Sequence, residues 1–192
     1  MAKNEVRSLL SAVELRADGD GRTVSGYAIM FDKPSQDLGG FIEYIDKGAL
    51  KGVNFDGVYL VYAHDMNQPL ARVDAGTLKL KVDDKGLFFK ATLPNTTVAN
   101  DVLENIRVGN IKGMSFAFTT KADKWTFGKN GSPDIRHVTA IDVVFEGTIT
   151  PLPAYQDTSI AISSRDASKP AYGKRERMRD ELAIIRVRKE FM

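Results

Sequence analysis

Residues 109–118 read GNIKGMSFAF, and within this stretch the hydrophobic period of the chain changes. Upstream, in TTVANDVLENIRVGN (96–110), Val98, Val102 and Ile106 recur at helical spacing. Thr97 serves there as N-cap and Gly109 suits the C′ position, where a left-handed backbone ends a helix. Downstream the period drops to two. Met114, Phe116 and Phe118 share one face of a strand, so Gly113, Ser115 and Ala117 share the other. That second face is made of small residues and leaves space above the Ser115 hydroxyl.

Working outward, the same strand signature recurs on both sides. Residues 13–31 alternate around ADGDGR, which predicts a hairpin whose turn residues tolerate positive φ. VYLVYAH (58–64) is apolar on both parities, the pattern of a strand covered on both faces, and DMNQP (65–69) reads as the turn after it. GTLKLKVDDKGLFFKATLP (76–94) is a second hairpin, turning at Asp84-Lys85-Gly86. GMSFAFTTKADKWTF (113–127) and IRHVTAIDVVFEGTI (135–149) are long strands separated by a loop, GKNGSPD. FIEYIDKGALKG (41–52) reads equally as a short helix or a structured loop, because Gly48 and Gly52 interrupt it. The pattern predicts an α+β fold: a mostly antiparallel β-domain with at least one packed helix.

Composition narrows the chemistry. With 192 residues the chain is long enough for one domain with its own core, and it has no cysteine. Disulfides, zinc–thiolate sites and cysteine nucleophiles are thereby excluded. The first residues hold no apolar signal segment, and no apolar run approaches the length of a membrane span. A formal charge of +2 does not argue for nucleic acid, and Lys and Arg are not interleaved with strand aromatics. Basic residues cluster only between Lys174 and Lys189, after a polar linker, where Met178, Leu182 and Ile185 form one stripe of an amphipathic helix. The expected organisation is an N-terminal extension over 1–12, a domain over 13–163, and a linker with basic helix over 164–192.

The chain has two histidines, His64 and His137. A serine hydroxyl is a weak nucleophile until an imidazole takes its proton, and the imidazole works best when a third group fixes its tautomer. His64, at a strand end, is the candidate base for Ser115. For the third group the residues leave Glu146, Asp65 and His137 open. Counting by two along 135–149 places Ile141, Val143, Phe145 and His137 on one face, and Asp142, Val144, Glu146 and Thr148 on the other. Taken singly each has a plainer role: Ser115 as packing, His64 as a satisfied histidine, Glu146 as a solvated carboxylate, Asp65 as a turn-former and Arg72 as a surface charge. There is no HExxH and no ligand spacing for a metal, so neither metal nor cofactor is expected.

Five segments, GYAIMFDKPS, EYIDKGAL, VYAHDMNQPLARVDAGTLKLKVDDKGLFFKATLP, DVLENIRVGNIKGMSFAF and FEGTITPLPAYQDTSI, occur in an order that resembles the prohead protease family of tailed bacteriophages. That family is similar in fold and chemistry to the herpesvirus assemblins, serine proteases that digest the scaffold inside an immature capsid, and the likeness implies a barrel-like β-sheet with a few packed helices. The resemblance implies that Ser115 is the nucleophile, His64 the general base and Glu146 the third member. Assemblins use a second histidine in third place, which keeps His137 as a rival. Ala71 and Ala117 stand where the family often has Gly, and Gly147-Thr148 where it often has Val-Ser.

The resulting expectation is a serine endopeptidase of the host cytoplasm, enclosed in the procapsid. It would cleave the major capsid protein's extension, scaffold segments and itself, without nucleic-acid or membrane partners. The alternative is a non-enzymatic capsid-assembly or scaffold-binding protein on the same β-domain.

Overall fold

The computed structural model describes residues 5–9, 16–18, 21–111, 113–129 and 131–151. They form ten strands and one helix: β1 (Glu5–Leu9), β2 (Arg16–Asp18), β3 (Thr23–Met30), β4 (Phe41–Ile45), β5 (Tyr59–Tyr62), β6 (Asp65–Arg72), β7 (Leu78–Val82), β8 (Gly86–Thr92), α1 (Thr97–Arg107), β9 (Gly113–Thr126) and β10 (Asp134–Thr150). Among the described residues the strands make two open sheets, not a closed barrel. One has the order β2-β3-β8-β7 and is antiparallel throughout. The other has the order β1-β9-β10-β5-β6, with β4 also on β10.

The second sheet is mixed, which alternation alone does not announce. β4 and β5 both run parallel to β10, β4 along Asp134–Val138 and β5 along Glu146–Ile149. β10 is long enough to carry both, one beyond the other. Two readings change accordingly. FIEYI is a strand, with Phe41, Glu43 and Ile45 buried, because β10 supplies a ladder that the local sequence does not reveal. DMNQP belongs to strand β6 and not to a turn, since Tyr62 pairs with Asp65 and the chain reverses at Ala63-His64.

The main core lies where the two sheets face each other, with α1 against it. Met114, Phe116 and Phe118 of β9 are almost fully buried, as their alternation predicts, with the two phenylalanine rings 5.3 Å apart. From the other sheet come Val24, Ile29, Leu87, Phe89 and Ala91. The helix contributes Ala99, Val102, Leu103 and Ile106. Its N-cap is Thr96, one residue before the expected Thr97, and the Thr96 hydroxyl accepts from Ala99 N. Gly109 follows the C-cap Val108 with φ of 80°, as the C′ position requires.

The long pair β9–β10 is not regular. Ladder register shifts occur between Val138 and Ala140, Ala140 and Ile141, Ile141 and Val143, and Val144 and Glu146. Each extra residue on β10 reverses which parity faces inward. Core positions therefore run Val138, Ile141, Val144 before Ile149 restores spacing by two through Gly147, whose added Cβ would meet Met114, Leu60 and Ala28. Val143 is exposed and Val144 is core, so beyond Val138 each of the two faces obtained by counting in twos mixes core and outer residues.

At the far end of the sheet a buried charge cluster closes the core face. Arg136 Nη1 donates to Glu43 Oε2 at 2.9 Å, Nε to Asp123 Oδ2 at 2.8 Å and Nη2 to Thr120 Oγ1 at 3.0 Å. Its guanidinium carbon lies 5.6 Å from the Trp125 ring centre. A buried charge is tolerated when its hydrogen-bonding groups are matched in this way.

Candidate active site

Ser115, Thr148 and Val61 lie side by side on β9, β10 and β5, since Thr148 is the ladder partner of both others. Glu146, two residues before Thr148, shares its face because this part of β10 is regular. Val144 does not share that face, contrary to the alternation count. Ser115 and Thr148 have no exposed surface, and Glu146 has 5 %. The space expected above the Ser115 hydroxyl is thus filled in this arrangement.

His64 reaches the same face from the turn between β5 and β6. Ala63 and His64 have φ of 51° and 60°, and the flanking residues Tyr62 and Asp65 pair, as in a two-residue type I′ hairpin loop. Such loops ordinarily take Asn-Gly or Gly-Gly. Left-handed backbone costs a non-glycine residue roughly 1–2 kcal/mol, and histidine tolerates it better than alanine. Strain of this kind persists where neighbours hold it in place. Here the Ala63 amide donates to Ile149 O at 3.0 Å and the imidazole is held by Glu146.

His64 Nδ1 lies 2.5 Å from Glu146 Oε1, and Thr148 Oγ1 donates to Glu146 Oε2 at 2.7 Å. Both carboxylate oxygens therefore have a donor in a buried setting, where an unpaired charge would cost several kcal/mol. An ionised carboxylate only accepts, so it fixes the His64 proton on Nδ1 and leaves Nε2 as the acceptor. Nε2 is buried and has no hydrogen-bond partner. Native proteins rarely leave such an atom unmatched, and the exceptions concentrate at working sites. The bond to Thr148 draws the carboxylate along β10 to the level of the residue directly opposite Ser115.

The other candidates go elsewhere. His137 also lies off the core face, because the bulges cancel the predicted opposition between it and Glu146. It is nine residues up the strand, about 30 Å at full extension. There its Nδ1 meets Asp46 Oδ1 at 2.6 Å and its ring stacks on Tyr44 at 5.0 Å. Asp65 adjoins His64 in sequence but spends its carboxylate on its own loop, accepting from Asn67 N at 2.8 Å and Gln68 Nε2 at 2.8 Å. Those bonds, the Asn67 amide first, hold its carboxyl below the ordinary aspartate value. Arg72 pairs with Asp74 at 2.7 Å and lies over Tyr59. Among the described residues no group of His, Asp and Glu side chains could hold a metal ion.

Thr148 and the Ala63-His64 turn are the parts that sequence reading passed over. Thr148 had a signal: two residues beyond a strand carboxylate, a hydroxyl is on the same face and within reach of it. The turn had none, since Ala-His is an unfavourable pair for positive φ.

A comparison with curated proteins finds no match. Among solved structures, that of the bacteriophage T4 capsid assembly protease, gp21, is similar over 78 % of this chain and 98 % of the T4 chain, at 11 % identity and a TM-score of 0.49. The family described as Caudovirus prohead serine protease matches residues 11–171, and the chain belongs to that family.

Proposed function

We propose that the protein is a serine endopeptidase of procapsid maturation in which Ser115 is the nucleophile, His64 the general base and Glu146 the group that orients His64. One observation carries the reading: His64 gives Nδ1 to a buried carboxylate and keeps a buried, unpartnered Nε2, over the sheet face that bears Ser115. In the reaction Ser115 Oγ attacks the peptide carbonyl carbon while His64 Nε2 takes the hydroxyl proton. The imidazolium then gives that proton to the departing amine. A water, deprotonated by the same nitrogen, then attacks the acyl carbon, and the imidazolium returns that proton to the departing Ser115 Oγ. Glu146 keeps the proton on Nδ1 and stabilises the imidazolium, and Thr148 holds the carboxylate in place.

Membership of the family supports action within the procapsid on scaffold and capsid-protein extensions, and on the chain itself. Residues 164–192 lie outside the described residues. Their linker-and-basic-helix composition motivates the further proposal that they recruit the protease to the shell and are removed by self-cleavage. Normal packaging of a tail-deleted protein would exclude recruitment by this segment.

Intact-mass analysis of the wild type beside Ser115→Ala after expression tests the chemistry and the self-cleavage together. A shortened wild type with a full-length mutant is the expected result. The full burial of Ser115 favours the second reading, a non-enzymatic assembly protein on the same β-domain. Fluorophosphonate labelling separates the two. Labelling that is lost in Ser115→Ala and His64→Ala supports the protease, and labelling unchanged in both rejects the triad.

A further inference from the structure

β1 (Glu5–Leu9) pairs antiparallel with β9 along Met114–Phe118, on the side away from β10, and Ser8 stands opposite Ser115. This strand precedes the family's domain, whose match begins at residue 11. It was not foreseen from the sequence, where the first strand is expected from residue 13. Without β1, this part of β9 would be an edge with unpaired N–H and C=O groups at the nucleophile itself. Such an edge accepts an extended peptide as an added strand, with main-chain hydrogen bonds supplying affinity. The edge is occupied here, and Ser115 has no exposed surface. A peptide carbonyl can therefore meet Oγ only after something covering it moves.

From this arrangement we infer that residues 5–9 are an intramolecular occupant of the substrate-docking edge. The substrate is an extended segment of a capsid or scaffold protein that displaces β1 and pairs with β9 in its place. The inference rests on the proposed protease function. β1 is suited to leaving: it is five residues long and among the described residues has one neighbouring strand, whereas β10 is seventeen residues long and paired on both sides. Short edge elements open at far lower free energy than central ones. If only a fraction of molecules has β1 displaced, the apparent KM for an extended substrate is raised by the inverse of that fraction.

The test uses the full chain carrying Val6→Cys and Ala117→Cys, which are ladder partners. The chain has no other cysteine, so a single disulfide can form, and antiparallel partners lie within disulfide range. Two rates are read, fluorophosphonate labelling of Ser115 and cleavage of purified capsid protein that retains its scaffold segment. Expected is a fall of about tenfold or more in both on oxidation, as the open fraction vanishes, reversed by reductant, with the wild type indifferent to either. In the opposite direction, Val6→Pro/Arg7→Pro removes one ladder donor whichever of the two faces β9, and lowers KM severalfold with kcat held.

Equal rates in the oxidised and reduced pair, with labelling at Ser115 intact, overturn the docking inference and leave the protease reading standing. Failure of the two cysteines to cross-link under oxidant also overturns it, because β1 would not lie on β9 in solution. If the wild type and the reduced pair neither label nor cleave, the protease reading falls and this inference with it.

Discussion

At its two ends β10 presents the same pair of groups, a carboxylate bound to a histidine Nδ1, in opposite settings. His137 with Asp46 has a side chain 42 % exposed, and its ring lies flat on Tyr44. His64 with Glu146 has a side chain 11 % exposed, lies on strained backbone and keeps Nε2 buried and unmatched. The pair by itself is therefore not a signature of catalysis. What distinguishes the Glu146 end is that the carboxylate has both oxygens satisfied while the imidazole has one nitrogen still to satisfy. Ser115 stands on β9, one strand from Glu146. The buried Arg136–Glu43 pair makes the same point from the other side: it is fully internal and its charges meet, which is what a structural ion pair needs.

The largest expected contrast comes from deleting each histidine. His64→Ala, like Ser115→Ala, should reduce kcat/KM for peptide cleavage by roughly 10⁵- to 10⁶-fold, as removal of either partner of a serine–histidine unit does. His137→Ala should stay within about twofold of wild type and lower the thermal midpoint by no more than a few degrees, since surface changes cost little. Comparable losses from the two deletions would erase the distinction between the ends.

The carboxylates come next. Glu146→Gln preserves shape but no longer fixes the Nδ1 proton, and a loss of roughly 10⁴-fold in kcat is expected. Asp46→Asn should change kcat by less than about twofold. Steady-state kinetics with circular dichroism to check the fold decides between orientation and unfolding as the cause.

A smaller effect is expected from Thr148→Val, which removes the hydroxyl that donates to Glu146 Oε2. Loss of an orienting partner of this kind is worth about 10- to 100-fold in activity at comparable sites. Leaving a buried carboxylate oxygen unmatched also costs about 1–3 kcal/mol of stability. Thr148→Ser keeps the hydroxyl and should recover kcat, which a purely packing role for the methyl group would not allow.

The turn that delivers His64 offers a test of opposite sign. Ala63→Gly relieves the left-handed backbone and should raise stability by about 1 kcal/mol in denaturant unfolding. It also frees the turn, so kcat should fall by a few-fold while stability rises. A simultaneous gain in both would show that the strain does not serve His64.

The smallest effect is the acid response of the loop beside His64. The Asp65 carboxyl is held below its ordinary value by the Asn67 amide and Gln68 side chain. The unfolded chain therefore binds the proton more readily than the folded one. The resulting stabilisation is complete above the unfolded aspartate value near 3.9 and is lost as pH falls through the lower folded value. Asp65→Asn should flatten the acid limb of the unfolding midpoint, measured between about pH 5 and 2, and leave it unchanged near neutrality.

Local residue chemistry accounts for most of the elements. The helix over 97–107, the hairpin of β7 and β8, and the burial of Met114, Phe116 and Phe118 all follow from patterns within a dozen residues. The turn at Ala63-His64 was hidden because its residues are poor choices for positive φ, and the ladder between Tyr62 and Asp65 imposes the conformation on them. β1 was hidden because a five-residue edge strand acquires its structure from the strand that it joins.

The site divides along the same line. Local alternation alone places Ser115 on the face of β9 opposite Met114, Phe116 and Phe118, because side-chain direction in an unbroken strand alternates residue by residue. The sequence also carried the family, through five ordered segments. It left Glu146, Asp65 and His137 as rivals, and counting by two could not separate them, because each bulge in β10 adds a residue and inverts the count. Which carboxylate lies against His64 was settled by contacts between distant strands. That choice rests on the parallel pairing of β5 with β10 and on the turn that folds His64 back over the sheet. The β5–β10 pairing and the His64–Glu146 contact each join residues more than eighty positions apart, at a distance over which no local pattern carries information.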